Sequence, residues 1–193
     1  MKEQELHSLL QKILSAPKEN EFIEFKENNL DIEEIGKRIS ALSNGAALLG
    51  QQYGYLVFGV EDGSHNVVGT KFNLATFKKG NEEGELWLSR MLSPSIDFRI
   101  YEFDFQEKKI ALFHIPAAYN QPINFQNQAW IRVGSITTLL KNYPEKERKL
   151  WQRPSSEFEQ EVALRSVSAS DVVALLDTQS VFDLCFCTLS CYY

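Results

Sequence analysis

The chain has 193 residues, of which 44 % are hydrophobic, 24 % charged and 12 % aromatic, proportions that exclude a collagen-like, fibrous or mostly disordered protein. With 26 acidic and 20 basic residues the formal charge is -6, which excludes a histone-like grip on phosphate backbones through bulk charge and leaves only a local patch for any polyanion. Such a patch has a place to form: residues 1–70 hold 6 basic and 11 acidic groups, 71–153 hold 13 and 9, and 154–193 hold 1 and 6, a basic middle between acidic ends.

Residues 3–15 predict an amphipathic helix, with Leu6, Leu9, Leu10, Ile13 and Leu14 on one stripe and Pro17 soon after it. A short strand follows in Phe22-Ile23-Glu24-Phe25-Lys26, whose pleat sets Ile23 and Phe25 on one face and Glu24 and Lys26 on the other. Asp31 reads as the N-cap of a second helix, with Glu34 completing a capping box. Ile32, Ile35, Ile39 and Leu42 point inward, and Asn44-Gly45 is expected to weaken or end the helix. The uncharged stretch Ile39 to Val60 carries Asn44, Gln51, Gln52 and four glycines, so it is no membrane span.

Tyr55 to Val60 predicts a buried strand leading into the turn Glu61-Asp62-Gly63-Ser64, with His65 to Gly69 as its hairpin partner. Gly84 to Leu92 predicts a helix stopped by Ser93-Pro94. Ile96 to Phe105 and Lys109 to Ile115 flank Gln106-Glu107-Lys108 as a second hairpin, Ala129 to Val133 is a further strand, and Pro144 to Gln152 is a charged helix opened by proline. Helices and strands followed by a hairpin-rich half predict an α+β fold, a mixed β-sheet with flanking helices. We place one domain over 1–153, and over 154–193 a linker and the start of an incomplete helical or winged-helix region, a short helical tail around Asp171 to Asp177.

Lys12, Lys18 and the early glutamates interrupt every apolar run near the N-terminus, so no signal peptide is read and a soluble, cytoplasmic protein with no membrane partner is expected. The cysteines, Cys185, Cys187 and Cys191, crowd into the last nine residues, and His7, His65 and His114 are scattered. That spacing suits ordinary reduced thiols, not a zinc site. No phosphate-binding Gly-x-x-x-x-Gly-Lys loop and no Gly-x-Ser-x-Gly elbow is present. An apolar end such as Thr178 onward also suits contact with a partner or a homo-oligomer.

Three constellations carry chemistry. In Glu19-Asn20-Glu21-Phe22-Ile23-Glu24-Phe25-Lys26, carboxylates on a strand edge can hold a divalent metal and the ammonium can stabilise a phosphate; alternate charges on a solvated strand face are the plainer alternative. Glu61 and Asp62 add acidic groups at a strand end, in what is equally a turn signature. In Trp130-Ile131-Arg132-Val133-Gly134-Ser135, Ile131 and Val133 are expected to face the core, and Trp130 and Arg132 the other side. An indole beside a guanidinium suits a nucleotide, as it also suits an ordinary half-exposed strand.

The order and spacing of Glu21-Phe22-Ile23-Glu24-Phe25-Lys26, Ile39-Ser40-Ala41-Leu42-Ser43-Asn44, Gly54-Tyr55-Leu56-Val57-Phe58-Gly59-Val60-Glu61-Asp62-Gly63 and Ile131-Arg132-Val133-Gly134-Ser135 resemble the Schlafen-type AlbA-like domain family, over roughly residues 15–153. The resemblance implies a nucleic-acid-binding domain protein of bacterial transcription-regulator type, with DNA or RNA as partner and contacts from Lys26, Trp130, Arg132 and Ser135. Animal relatives include RNA-cleaving enzymes with a metal-binding carboxylate cluster. For that alternative the resemblance implies Glu19, Glu21, Glu24, Lys26 and Asp62 as catalytic residues and Mg²⁺ or Mn²⁺ on Glu21, Glu24, Glu61 and Asp62. A protein-interaction scaffold is the third possibility. Where many members have paired glycines after the Asn, this chain has the longer segment Gly45 to Gly54, which puts in question a glycine turn close to a ligand.

Overall fold

A computed structural model describes residues 1–15, 20–28 and 31–152. The helix expected at 171–177, the linker and the three cysteines therefore lie outside the described residues, as does Glu19. The elements run α1 (Glu3–Leu14), β1 (Ile23–Lys26), α2 (Ile32–Leu48), β2 (Tyr53–Phe58), β3 (Lys78–Lys79), β4 (Glu82–Glu83), α3 (Gly84–Met91), β5 (Leu92–Ser93), β6 (Arg99–Phe105), β7 (Lys108–Pro116), β8 (Asn124–Phe125), β9 (Gln128–Val133), β10 (Ile136–Leu139) and α4 (Pro144–Trp151). This is an α+β fold, as the sequence predicts.

Two four-stranded sheets organise it, in the orders β1-β2-β7-β6 and β10-β9-β8-β5. In the first, β1 lies parallel to β2, with Glu24 opposite Leu56 and Lys26 opposite Phe58, and the other pairs are antiparallel. One face of this sheet carries Ile23, Phe25, Val57 and Leu112, covered by Leu6, Leu10 and Ile13 of α1. The other carries Leu56, Phe58, Ala111 and Phe113, packed with Ile35, Ile39 and Leu42 of α2. Beyond α2 stands the second sheet, with Phe125 and Ile131 in the same core.

Burial between two sheets removes the polar side that a surface helix keeps. Ser40, Ser43 and Asn44 are all fully buried, and each hydrogen-bonds the backbone of a segment far along the chain. Ser40 Oγ donates to Ile123 O (2.6 Å) and accepts from Trp130 N (3.0 Å); Ser43 Oγ donates to Pro116 O (2.7 Å). Asn44 donates to Ile123 O (3.0 Å) and Trp130 O (2.9 Å), and accepts from Ile123 N (2.8 Å). Contrary to expectation, Asn44-Gly45 therefore does not end α2: the helix runs on to Leu48 because tertiary hydrogen bonds use the Asn side chain. Gly45 is needed for contact instead, since a Cβ there would lie 1.9 Å from the Glu21 carbonyl oxygen. The helix stops one turn later, where Gly50 takes φ 68° and its N–H reaches Ala47 O, a left-handed C-terminal cap.

Other expectations are refined. Asp31 caps α2 by accepting from Glu33 N (2.8 Å) and Glu34 N (3.2 Å), but the Glu34 carboxylate lies on Lys37 (2.6 Å) instead of closing a capping box. The hairpin at 60–69 is one bridge, Val60 to Val67, because His65 and Gly63 take positive φ and curl the chain. The second hairpin is present as β6 and β7, turning on Gln106 and Glu107, both at positive φ, a geometry that matches strand twist. It starts at Arg99, not Ile96. The short strands β3, β4, β5, β8 and β10 were not expected, since two to four residues show no period.

All three histidines sit among aromatic rings: His7 by Phe103 and Phe105, His65 at 4.5 Å from Phe25, and His114 by Tyr53, Tyr55 and Tyr101. Burial, then the positive charges of the amino terminus and Arg99, hold His114 below the usual histidine value of 6.5. The folded chain thus favours neutral His114, so its share of stability is complete above pH 6.5 and is lost as pH falls from 6.5 through the lowered value. We expect His114→Gln to flatten the fall of the urea midpoint between pH 7.5 and 5. Replacing Asn44 by Ala strands the Ile123 N–H and removes the Asn44 donor from the Trp130 carbonyl, while Ser40 still serves Ile123 O; it is expected to cost about 3 kcal/mol in urea denaturation.

Candidate functional site

The pleat of β1 that buries Ile23 and Phe25 under α1 turns Glu24 to the α2 side, where it is 3 % exposed. The solvated strand face that the sequence permits is therefore not what forms. A carboxylate so deep is costly unless paired, and Glu24 is paired with three cations. Arg38 of α2 donates from Nε to Oε1 (3.0 Å), Arg132 of β9 places Nη1 2.5 Å from Oε2, and the Lys26 ammonium lies 3.4 Å from Oε1. The hub thereby joins an edge strand of one sheet, the helix between the sheets and the middle of the other sheet.

Its outer half is wetter. Lys26, with a 21 % exposed side chain, also donates to Asp62 Oδ2 at 3.1 Å, and Asp62 is 59 % exposed. Arg38 Nη2 lies 3.8 Å from Glu34, 42 % exposed, while Arg38 Nη1 is buried with no hydrogen-bond partner among the described residues. Lys37 stands over the Trp130 ring, 5.3 Å from its centroid, a cation–π contact.

The structure thus brings Glu24, Lys26, Asp62 and Arg132 together, and places Glu21, Glu61 and Ser135 in other contacts. Glu21 pairs with Lys146 of α4 (2.9 Å). Glu61 accepts from Ser64 and Asn66 within its own turn. Arg132 was expected beside Trp130 on an outward side; it is completely buried because the Glu24 carboxylate draws it inward. Ser135 is exposed in the β9–β10 turn after Gly134. Among the described residues no three His, Cys, Asp or Glu side chains gather as a metal site. Arg38 was missed by the sequence reading. Beside Lys37 and four residues after Glu34, it reads as part of the polar face of an amphipathic helix, so only its tertiary neighbours reveal its role.

Glu24→Gln removes the charge that three cations share, and is expected to lower stability by about 3–5 kcal/mol. Asp62→Asn, at the wet rim, is expected to stay within about 0.5 kcal/mol of the parent. Parallel thermal and urea melts check both.

Three comparisons place the chain. Among solved structures, the DIP2311 protein from Corynebacterium diphtheriae is similar at 14 % identity and TM-score 0.44, over 70 % of this chain and 26 % of that one; this chain thus spans about a quarter of that protein's length. The N-terminal domain of a RecG-related protein from Nitrosomonas europaea is similar at 21 % identity and TM-score 0.41, over 67 % of this chain and 89 % of that one. Comparison with curated protein sequences finds no match. Among the described residues no helix is long and apolar enough to cross a membrane. The model of the family described as Schlafen, AlbA_2 matches residues 19–141, the span that holds β1, α2, the Asp62 turn and β9, and the chain belongs to that family.

Proposed function

We propose that this domain binds nucleic acid, DNA in a regulatory setting being the first candidate, through the outer rim of the Glu24 hub. One observation carries the reading: a buried carboxylate gathers Lys26 and Arg38 at one place, and the partners on their outer side are exposed carboxylates. Backbone phosphate has the charge and the oxygen acceptors to engage such cations. Trp130, capped by Lys37, offers a ring beside that rim. Arg132 acts from behind, by positioning Glu24, and Ser135 offers an exposed hydroxyl in the β9–β10 turn. Family membership supports a nucleic-acid role.

A second reading, a divalent-metal-dependent nuclease, is favoured by the convergence of Glu24, Lys26 and Asp62. The described donor set fits a metal poorly: both oxygens of Glu24 are held by arginines, and Asp62 is the open carboxylate beside it.

The test incubates the purified chain with labelled tRNA, single-stranded DNA and double-stranded DNA, with Mn²⁺ or with chelator, and reads gel shift and cleavage together. Binding predicts a shift that survives chelator, falls steeply with salt and weakens about tenfold in Lys26→Met. Mn²⁺-dependent cleavage lost in Asp62→Asn would establish the nuclease instead. Glu24 is a poor probe in either case, because its replacement disturbs the fold.

A further inference from the structure

We infer that Lys26 and Arg38 form a seat for a phosphate group, and that Asp62 occupies this seat as an internal competitor until a phosphate displaces it. The inference rests on the nucleic-acid reading above and deepens it by naming the group bound and the residue that opposes binding.

Lys26 has two carboxylate neighbours of opposite character. Glu24 is buried, belongs to the same strand and is held by two arginines, so it is a fixture. Asp62 is largely exposed and sits in the turn after Val60, whose own hydrogen bonds run between Glu61, Ser64, His65 and Asn66 and leave the Asp62 side chain out. Apart from the Lys26 contact, nothing described holds its carboxylate. An exposed ion pair of this kind contributes about 0–1 kcal/mol, so exchanging it for another anion costs little.

The neighbouring cation repeats the pattern. Arg38 uses Nε on Glu24, while Nη2 lies 3.8 Å from the exposed Glu34, beyond hydrogen-bond distance. A guanidinium whose outer amino group has no close acceptor, beside an ammonium at the wet rim, can take a further anion. A tetrahedral phosphate carries several charged oxygens and can serve two such cations together, which the single Asp62 carboxylate, bonded to Lys26 alone, does not do. Asp62 therefore neutralises Lys26 and repels an incoming phosphate until its exposed side chain rotates away from the ammonium.

The test uses the full chain in chelator. Anisotropy of a fluorescein-labelled oligodeoxythymidylate is compared for the parent, Asp62→Asn, Lys26→Met and the double variant, and NMR follows the Lys26 ammonium and Arg38 guanidinium signals on addition of inorganic pyrophosphate. Asp62→Asn is expected to bind the oligonucleotide about threefold to tenfold tighter, the effect of removing one unit charge near a bound phosphate at a wet surface, and to lose this gain once Lys26 is Met. Equal or weaker binding by Asp62→Asn would overturn the competitor role, while a loss in Lys26→Met alone would leave the nucleic-acid reading standing. If no variant binds the oligonucleotide, that reading fails, and pyrophosphate decides the seat by itself. Shifts of both signals, larger in Asp62→Asn, would uphold it, and unmoved signals would overturn it.

Discussion

The Glu24 carboxylate and the guanidinium groups of Arg38 and Arg132 form the contact on which the arrangement of this domain turns. It unites β1, α2 and β9, which belong to three separate parts of the fold. Because a buried ion is tolerated only with all its partners in place, the contact also works as a register lock. Sliding β1 by one residue along β2 would exchange Glu24 for Phe25 beside the arginines and bring a charge under α1.

The helix between the sheets explains how β9 arrives at the right height to deliver Arg132. The backbone at Ile123 and Trp130 is tied to α2 by the side chains of Ser40 and Asn44. Small polar side chains suit this work, since they reach neighbouring backbone without holding the second sheet away from the helix. Gly45 does the same toward Glu21. The result is a helix buried all round from Ile39 to Ala47, whose polar atoms there set the position of its neighbours, more than they serve its own stability.

From core to rim the hub changes from fixture to exchangeable surface. Arg132 is wholly buried, Glu24 nearly so, Lys26 stands at the boundary, and Asp62 and Glu34 face water. Pairs in the interior are strong because water does not compete, and those at the rim are weak because it does. That gradient holds the cations in a fixed geometry while leaving their outer sides open to a new anion, the arrangement that preorganised anion recognition requires.

The sequence by itself determined the local elements whose period is long enough to show: the apolar stripe of α1, the pleat of β1, the β6–β7 hairpin and the proline-started α4 all form as the residues predict. It also determined family membership, through motifs whose order carries the signal. Only the tertiary structure decided that Glu24 is buried, that Arg38 and Arg132 meet it, and that Asn44-Gly45 continues a helix. Local preference at Asn44-Gly45 favours an end, and hydrogen bonds to residues far along the chain override it. The two-residue strands of the second sheet exist only because their partners are present. Burial of a charge is a property of what surrounds it, and those surroundings come from β1, α2 and β9 together, so no single segment could announce the site.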